Sequence, residues 1–193
     1  MNPELMKQID SLEAWKLRFG DQLPLAWNLR ERFPDNWLRL YSLPKGKRYP
    51  TTSSDKKEIL RRNNFVFKKV FGDKKMLDII VPLEFASDQS DVRYKISDIN
   101  NYDLIDNIVV YDSINSESFY IFHKHLNIGE FNINRFIEDV SSDKIMSPIF
   151  WDRSNAVYSP YDGGIDILLF DRERFRDIKA CCNQWLSDHG AGL

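Results

Sequence analysis

The residues best suited to chemistry are two histidines, His123 and His125, set one residue apart in a β-rich stretch. Alternate residues of a strand face the same side, so both imidazoles could reach one metal ion. A metal site needs a third ligand, and no residue is identifiable as that ligand. The pair is therefore expected to be solvated at a hairpin end, with neither metal nor cofactor. Carboxylates pair at Asp162 with Asp166 and at Asp171 with Glu173, groupings of the kind that glycosidases and metal-dependent nucleases use. Asp162 precedes Gly163-Gly164 in a turn and Asp171 opens a helix, so turn and cap roles account for both. Phosphate loops of the Gly-x-Gly-x-x-Gly or Gly-x-x-x-x-Gly-Lys kind do not occur, and Gly163-Gly164 leads into a strand where a phosphate cradle needs a helix N-terminus. The glycine doublet lacks a following serine, and three histidines provide few general bases. The expectation is a protein that acts by binding and is not an enzyme.

Charge is the stronger signal. Residues 39–75 hold twelve basic side chains against Asp55, Glu58 and Asp73, a net of +9, whereas residues 84–119 hold eight acids against Arg93 and Lys95, a net of −6. An exposed acidic lobe would dock a basic protein such as a nuclease toxin. The candidate partner-binding residues are Asp98, Asp103, Asp106, Asp112 and Glu117, joined by Arg153, Tyr161 and Asp162. Among the aromatic cluster of Phe150, Trp151, Tyr158 and Tyr161, strand alternation sends about half inward, and Tyr161 and Arg153, both in turns, are expected to be exposed. The alternative is a nucleic-acid binder that tracks phosphates with Lys47, Arg48, Lys57, Arg61, Arg62 and Lys68. Lys57, Arg61 and Lys68 fall on one side of a helix, with Arg62 alongside. A helix-turn-helix does not follow, because Gly72 leads through Asp73-Lys74-Lys75 into a strand.

The elements that position these residues are read from hydrophobic period and punctuation. A first helix runs from Asn2 to a stop at Gly20, with Leu5, Ile9, Leu12, Trp15 and Phe19 at steps of three and four. Residues 21–34 carry two prolines and read as irregular, and residues 37–43 as a short strand. A capping pattern of Asp55 and Glu58 opens a second helix that continues to Gly72, weakened in its middle by Asn63 and Asn64. Residues 76–85 read as a buried strand, 108–111 with 119–123 as a hairpin, and 132–140 as a third helix. Strands at 148–151, 156–159 and 165–170 follow, and Asp171 caps a last helix that ends at Gly190. The first and last helices are expected on one face of an antiparallel or mixed sheet.

These elements make one α+β domain over residues 1–193, with a sheet flanked by at least three helices. At 22.8 kDa, with 42% hydrophobic and 29% charged residues, only 8 Gly and 8 Pro, and a net charge of −2, disordered, collagen-like and disulfide-scaffold classes are excluded. No export signal or membrane span is read, and the adjacent Cys181 and Cys182 fit a reduced, cytoplasmic pair.

The segment Leu40-Tyr41-Ser42-Leu43-Pro44-Lys45-Gly46-Lys47-Arg48-Tyr49 with the helix that follows, and Tyr158-Ser159-Pro160-Tyr161-Asp162-Gly163-Gly164-Ile165-Asp166 through Trp185-Leu186-Ser187, resemble a bacterial domain family of unknown function. Some members of that family are labelled prophage DNA-binding proteins. The resemblance covers the two flanking thirds of the chain and not the acidic middle, residues 84–115. By analogy with small bacterial proteins of this kind, it implies an immunity partner that neutralises a cognate polymorphic or contact-dependent toxin.

Overall fold

A computed structural model describes residues 10–84, 96–104, 106–112 and 117–187, with the main chain alone for 96, 97 and 106–108. Seven strands form one sheet: β1 (Trp37–Tyr41), β2 (Met76–Glu84), β3 (Asp106–Asp112), β4 (Glu117–Asn127), β5 (Ile149–Trp151), β6 (Ala156–Tyr161) and β7 (Gly164–Leu169). Their order is β1-β7-β6-β5-β2-β4-β3 and every pairing is antiparallel. Among the described residues six α-helices flank it: α1 (Ser11–Phe19), α2 (Ala26–Arg32), α3 (Ser53–Phe71), α4 (Ile96–Asn100), α5 (Ile133–Ser141) and α6 (Arg172–Cys181). This is the α+β class expected. Among the described residues no helix is long and apolar enough to cross a membrane.

The first and last helices lie on opposite sheet faces, contrary to expectation. The run Leu77-Asp78-Ile79-Ile80-Val81 of β2 is buried on both faces, so both faces must be covered. Helix α1 lays Ala14, Trp15 and Phe19 over Ile80, Ile121 and Trp151, and α2 extends that layer with Ala26 and Leu29. Helices α3, α5 and α6 cover the other face, where Val66, Val70, Phe136 and Ile178 meet Ile79, Phe150, Tyr158 and Ile167.

Helix α4 lies in the stretch read as a polar connection, and the hairpin strands β3 and β4 are longer than the 108–111 and 119–123 expected. Three other elements differ for identifiable reasons. The stretch read as irregular contains α2, because Pro24 precedes the helix and Pro34 follows it, so neither interrupts its hydrogen bonds. Helix α3 is capped one turn early: Thr52 Oγ1 accepts from the Asp55 amide at 3.1 Å and the Asp55 carboxylate accepts from the Thr52 amide at 2.9 Å. The last helix stops at Cys181, followed by a 3₁₀ turn over Asn183–Trp185, whereas Gly190 lies outside the described residues, as does the first helix before Asp10. Asn63, read as a weak point of α3, is buried and accepts a 2.6 Å hydrogen bond from the Tyr158 hydroxyl.

The pairing of Asp78 fixes α1 on the sheet. Its carboxylate has no solvent exposure and accepts from Arg153 Nε at 2.6 Å, Arg153 Nη2 at 2.8 Å, Ser11 Oγ at 2.6 Å and His125 Nδ1 at 3.0 Å. Since the carboxylate only accepts, the His125 proton is on Nδ1. Arg153, expected at the surface, is thus buried, its side chain 7% exposed, and its left-handed backbone (φ 59°) turns it back over the sheet. The two histidines face one side of β4 as expected, yet they are not a solvated pair: His123 is buried and His125 is bound to Asp78. Burial alone pushes the Asp78 carboxyl up, but hydrogen bonds from His125, Arg153 and Ser11 outweigh it and hold it below the ordinary carboxylate range.

Asp78→Asn leaves the Arg153 charge buried without its partner and is expected to cost about 3–5 kcal/mol in urea unfolding at pH 7. A depressed folded-state value means that the wild-type advantage is complete above the unfolded value near 4 and is lost as pH falls below it. Unfolding curves at pH 7, 5 and 3 check this, with the gap between wild type and variant shrinking only in the last.

Candidate functional site

A cleft of about 520 Å³ lies at the β1–β7–β6 end of the sheet. Three residues in register across these strands form its floor: Arg39 pairs with Asp166, and Asp166 with Ser159. Period-2 alternation puts all three on the α1/α2 face, between the apolar row of Trp37, Leu168 and Val157 and the row of Tyr41, Gly164 and Tyr161 at the hairpin end. The Arg39 guanidinium donates from Nε and Nη2 to the two oxygens of Asp166, each at 2.7 Å, and its carbon lies 4.6 Å from the Tyr161 ring centre and 5.1 Å from that of Trp37. The fork geometry and the rings above and below fix this charge in orientation as well as in place. Burial pushes the Asp166 carboxyl above its ordinary range, and the Arg39 pairing that pulls it down does not fully offset this. Burial also pushes the Tyr161 hydroxyl up.

The Asp162-Gly163-Gly164 turn closes the cleft's rim. Asp162 Oδ2 accepts from Arg48 Nε at 2.6 Å and from the Tyr49 hydroxyl at 2.9 Å, joining the β6–β7 hairpin to the segment after β1. Gly164 is required by proximity: a Cβ there would lie 2.3 Å from the Leu40 carbonyl oxygen of β1. Beneath this rim the Ser159 and Tyr161 hydroxyls are buried with no hydrogen-bond partner among the described residues.

The eight residues expected to bind a partner are not brought together. Tyr161 and Asp162 line the cleft and Asp162 is buried, whereas Arg153 is the buried counter-ion of Asp78. Asp112 and Glu117 pair at the tip of the β3–β4 hairpin, where Asp112 is buried and Glu117 exposed. Partial burial and the charges of Glu84 and Asp112 push the Glu117 carboxyl above its ordinary range, so these three acids make one electronegative corner. Asp103 sits toward the other end of β4, held by Lys124 at 2.7 Å, about 24 Å along the strand from Glu117. Asp98 lies in α4 near Lys144, and Asp106 heads β3 with its side chain outside the described residues.

The basic stripe is largely occupied within the molecule. Lys47 binds Asp55, Arg48 binds Asp162, and Arg61 and Arg62 both bind Glu58. Arg62, expected on the surface, is buried and donates to the Tyr41 carbonyl oxygen, while Lys57 and Lys68 are exposed.

Residues 25–190 match the model of a domain family of unknown function, DUF3885. The chain belongs to the DUF3885 family. The match runs through the acidic middle as well as the flanking segments, and it starts at Leu25, just before α2. No curated protein and no solved structure matches the chain. The DUF3885 match contains all of the cleft's floor, including Arg39 and Ser159, which sequence reasoning did not select; a lone arginine between Leu38 and Leu40 in a strand was the signal available.

Arg39→Met strands the Asp166 carboxylate in the cleft floor and is expected to cost about 3–5 kcal/mol at pH 7. An unpaired buried carboxyl titrates above its unfolded value, so the folded variant takes up a proton as pH falls and the deficit narrows. Thermal unfolding of both proteins at pH 7 and pH 4 reads this, the melting-temperature gap being smaller at pH 4.

Proposed function

We propose that this DUF3885 protein acts by binding, and that it takes a basic protein partner along the β3 edge of its sheet. The carrying observation is the contrast between the two sheet edges. The β1 edge is covered by the chain's own C-terminal segment, where Leu186 bridges Leu40 and the Ser187 amide donates to the Arg39 carbonyl oxygen at 2.9 Å. At the other edge, β3 has a neighbour only in β4 among the described residues, and it presents Val109 and Tyr111 at 61% and 60% exposure. An edge strand offers main-chain donors and acceptors to an added strand, and exposed apolar side chains on it mark an interaction surface. The neighbouring exposed acids Glu84 and Glu117 favour a partner of positive charge.

A toxin-neutralising immunity protein is the role that best fits such an edge: it binds one basic partner tightly and covers the surface that the partner needs. The prophage DNA-binding role draws on the basic stripe, whose arginines are engaged with Glu58 and Asp162, so we do not adopt it.

The test is the affinity for the product of the adjacent gene, measured with purified proteins at low and high salt. Binding is expected to be stoichiometric and resistant to nuclease. Glu84→Lys combined with Glu117→Lys is expected to lower the association rate about 10-fold at low salt, and Tyr111→Ala to weaken affinity by about 2 kcal/mol if the ring is a central contact. Lys57→Glu with Lys68→Glu should leave binding unchanged. A complex insensitive to the β3 variants, or one carried by nucleic acid and lost on nuclease treatment, overturns the reading.

A further inference from the structure

The cleft at the far end of the sheet is a second place where the molecule is built to receive something, and it is independent of the β3 edge. Its volume of about 520 Å³ lies within the range of small-molecule sites. Its charged lining alternates arginine and aspartate, but the two signs are not equally presented. The Arg48 side chain is 56% exposed while its partner Asp162 is 10% exposed, and the Arg39–Asp166 pair lies beneath at 9% and 7%. Arg30 and Asp143 are both half-buried in the wall. At the rim the exposed Arg48 guanidinium stands ahead of its buried partner Asp162, while Arg39 and Asp166 are both buried in the floor.

Two further observations point to a ligand. Ser159 lines the floor, is 1% exposed, and its hydroxyl has no partner among the described residues, so a donor is left for an incoming acceptor. Trp27, Met146 and Tyr41 supply a partly apolar wall beside the charged one. A site lined by both guanidinium groups and aromatic side chains suits an anionic head on a flat apolar body.

We propose that this cleft binds a small organic anion, a carboxylate or phosphate ester carried on an aromatic or apolar group, with Arg48 at the rim and Ser159 at the floor. The shared chemistry is the anionic oxygen cluster; which of the two heads it is, the experiment distinguishes.

The test is an amide-resolved NMR titration of the full-length protein with phenyl phosphate, benzoate, benzyl alcohol and benzylamine, run in parallel. Phenyl phosphate, benzoate or both are expected to shift the amides of Ser159, Gly163 and Gly164 with saturation, and the stronger of the two identifies the head group. The alcohol and the amine are expected to bind at least 10-fold more weakly. Arg48→Gln, a change at an exposed side chain whose partner Asp162 keeps its bond from Tyr49, is expected to weaken anion binding 10-fold or more, and Ser159→Ala about 3-fold. The spectrum of each variant without ligand verifies its fold. The proposal is overturned if neither anion shifts these amides, if the amine or alcohol binds as well as the anions, or if a folded Arg48→Gln protein binds like wild type.

Discussion

Both faces of β2 are covered by helices, so the one carboxylate on its buried stretch, Asp78, has to hold its charge without water. A lone buried charge costs several kcal/mol, and the chain meets that constraint with four hydrogen bonds from three separate elements. Ser11 comes from α1, His125 from the paired strand β4, and Arg153 from the β5–β6 turn. The turn itself is set by Asp152, whose Oδ1 accepts the amides of Ser154, Asn155 and Ala156 at 3.0–3.1 Å. Helix α1 thus acquires a fixed position, since sliding it along the sheet would break both the Ser11 bond and the 2.9 Å bond from Arg18 Nε to the Ser154 carbonyl oxygen. The same constraint recurs across the sheet, where the buried Asp166 is matched by Arg39 from the neighbouring strand. Such pairs add little net stability against apolar replacements, but they penalise every arrangement in which the partners are apart.

The long amphipathic and punctuated elements were legible because their signals are local. Asn132, Asp171 and the glycines after α1 and α3 lie within a few residues of the turns that they cap. Strands β2, β4, β6 and β7 were legible from apolar runs between turn formers. The side on which α1 and α6 pack was not, because an apolar helix face says nothing about which face of a doubly buried sheet it will cover. Helix α2 was hidden by the two prolines that bracket it. The capping box of α3 was displaced by three residues because Asp55 followed by Glu58 imitates the pattern that Thr52 and Asp55 fulfil. Glu58 is thereby left to bind Arg61 and Arg62.

The candidate site was legible in part and for a related reason. The Tyr161-Asp162-Gly163-Gly164 turn stood out as sequence, and it does form the rim of the cleft. What could not be read is pairing at long range: Arg48 with Asp162 spans 114 positions, Arg39 with Asp166 spans 127, and Arg153 with Asp78 spans 75. Charge counted along the chain therefore overstates charge on the surface. The net +9 of residues 39–75 is drawn down by acids from the opposite end of the chain, and among the described acids of the middle segment Glu84, Asp112 and Glu117 share one corner while Asp103 makes a separate contact with Lys124. Segregated charge in this sequence reports folding partners as much as binding partners.

The sheet's asymmetry follows from the same bookkeeping of unsatisfied groups. An antiparallel sheet has two edges, and each exposes a row of donors and acceptors that another chain can use. Residues 186–187 lie along β1, and the β6–β7 hairpin, held to the segment after β1 by Asp162, supplies the floor and rim of the cleft beside it. That end is closed to strands and is left with a concavity fit for something smaller. At β3 the opposite holds: Val109 and Tyr111 stand exposed on a strand whose hairpin tip gathers Asp112 and Glu117 with Glu84, so like charges that repel one another are kept adjacent. Partial burial first, and the charges of Glu84 and Asp112 after it, push the Glu117 carboxyl up, and a cation arriving there would ease the charge part of that shift. On the function proposed above, acids kept beside exposed apolar side chains on an open edge suit a partner that brings both a strand and positive charge.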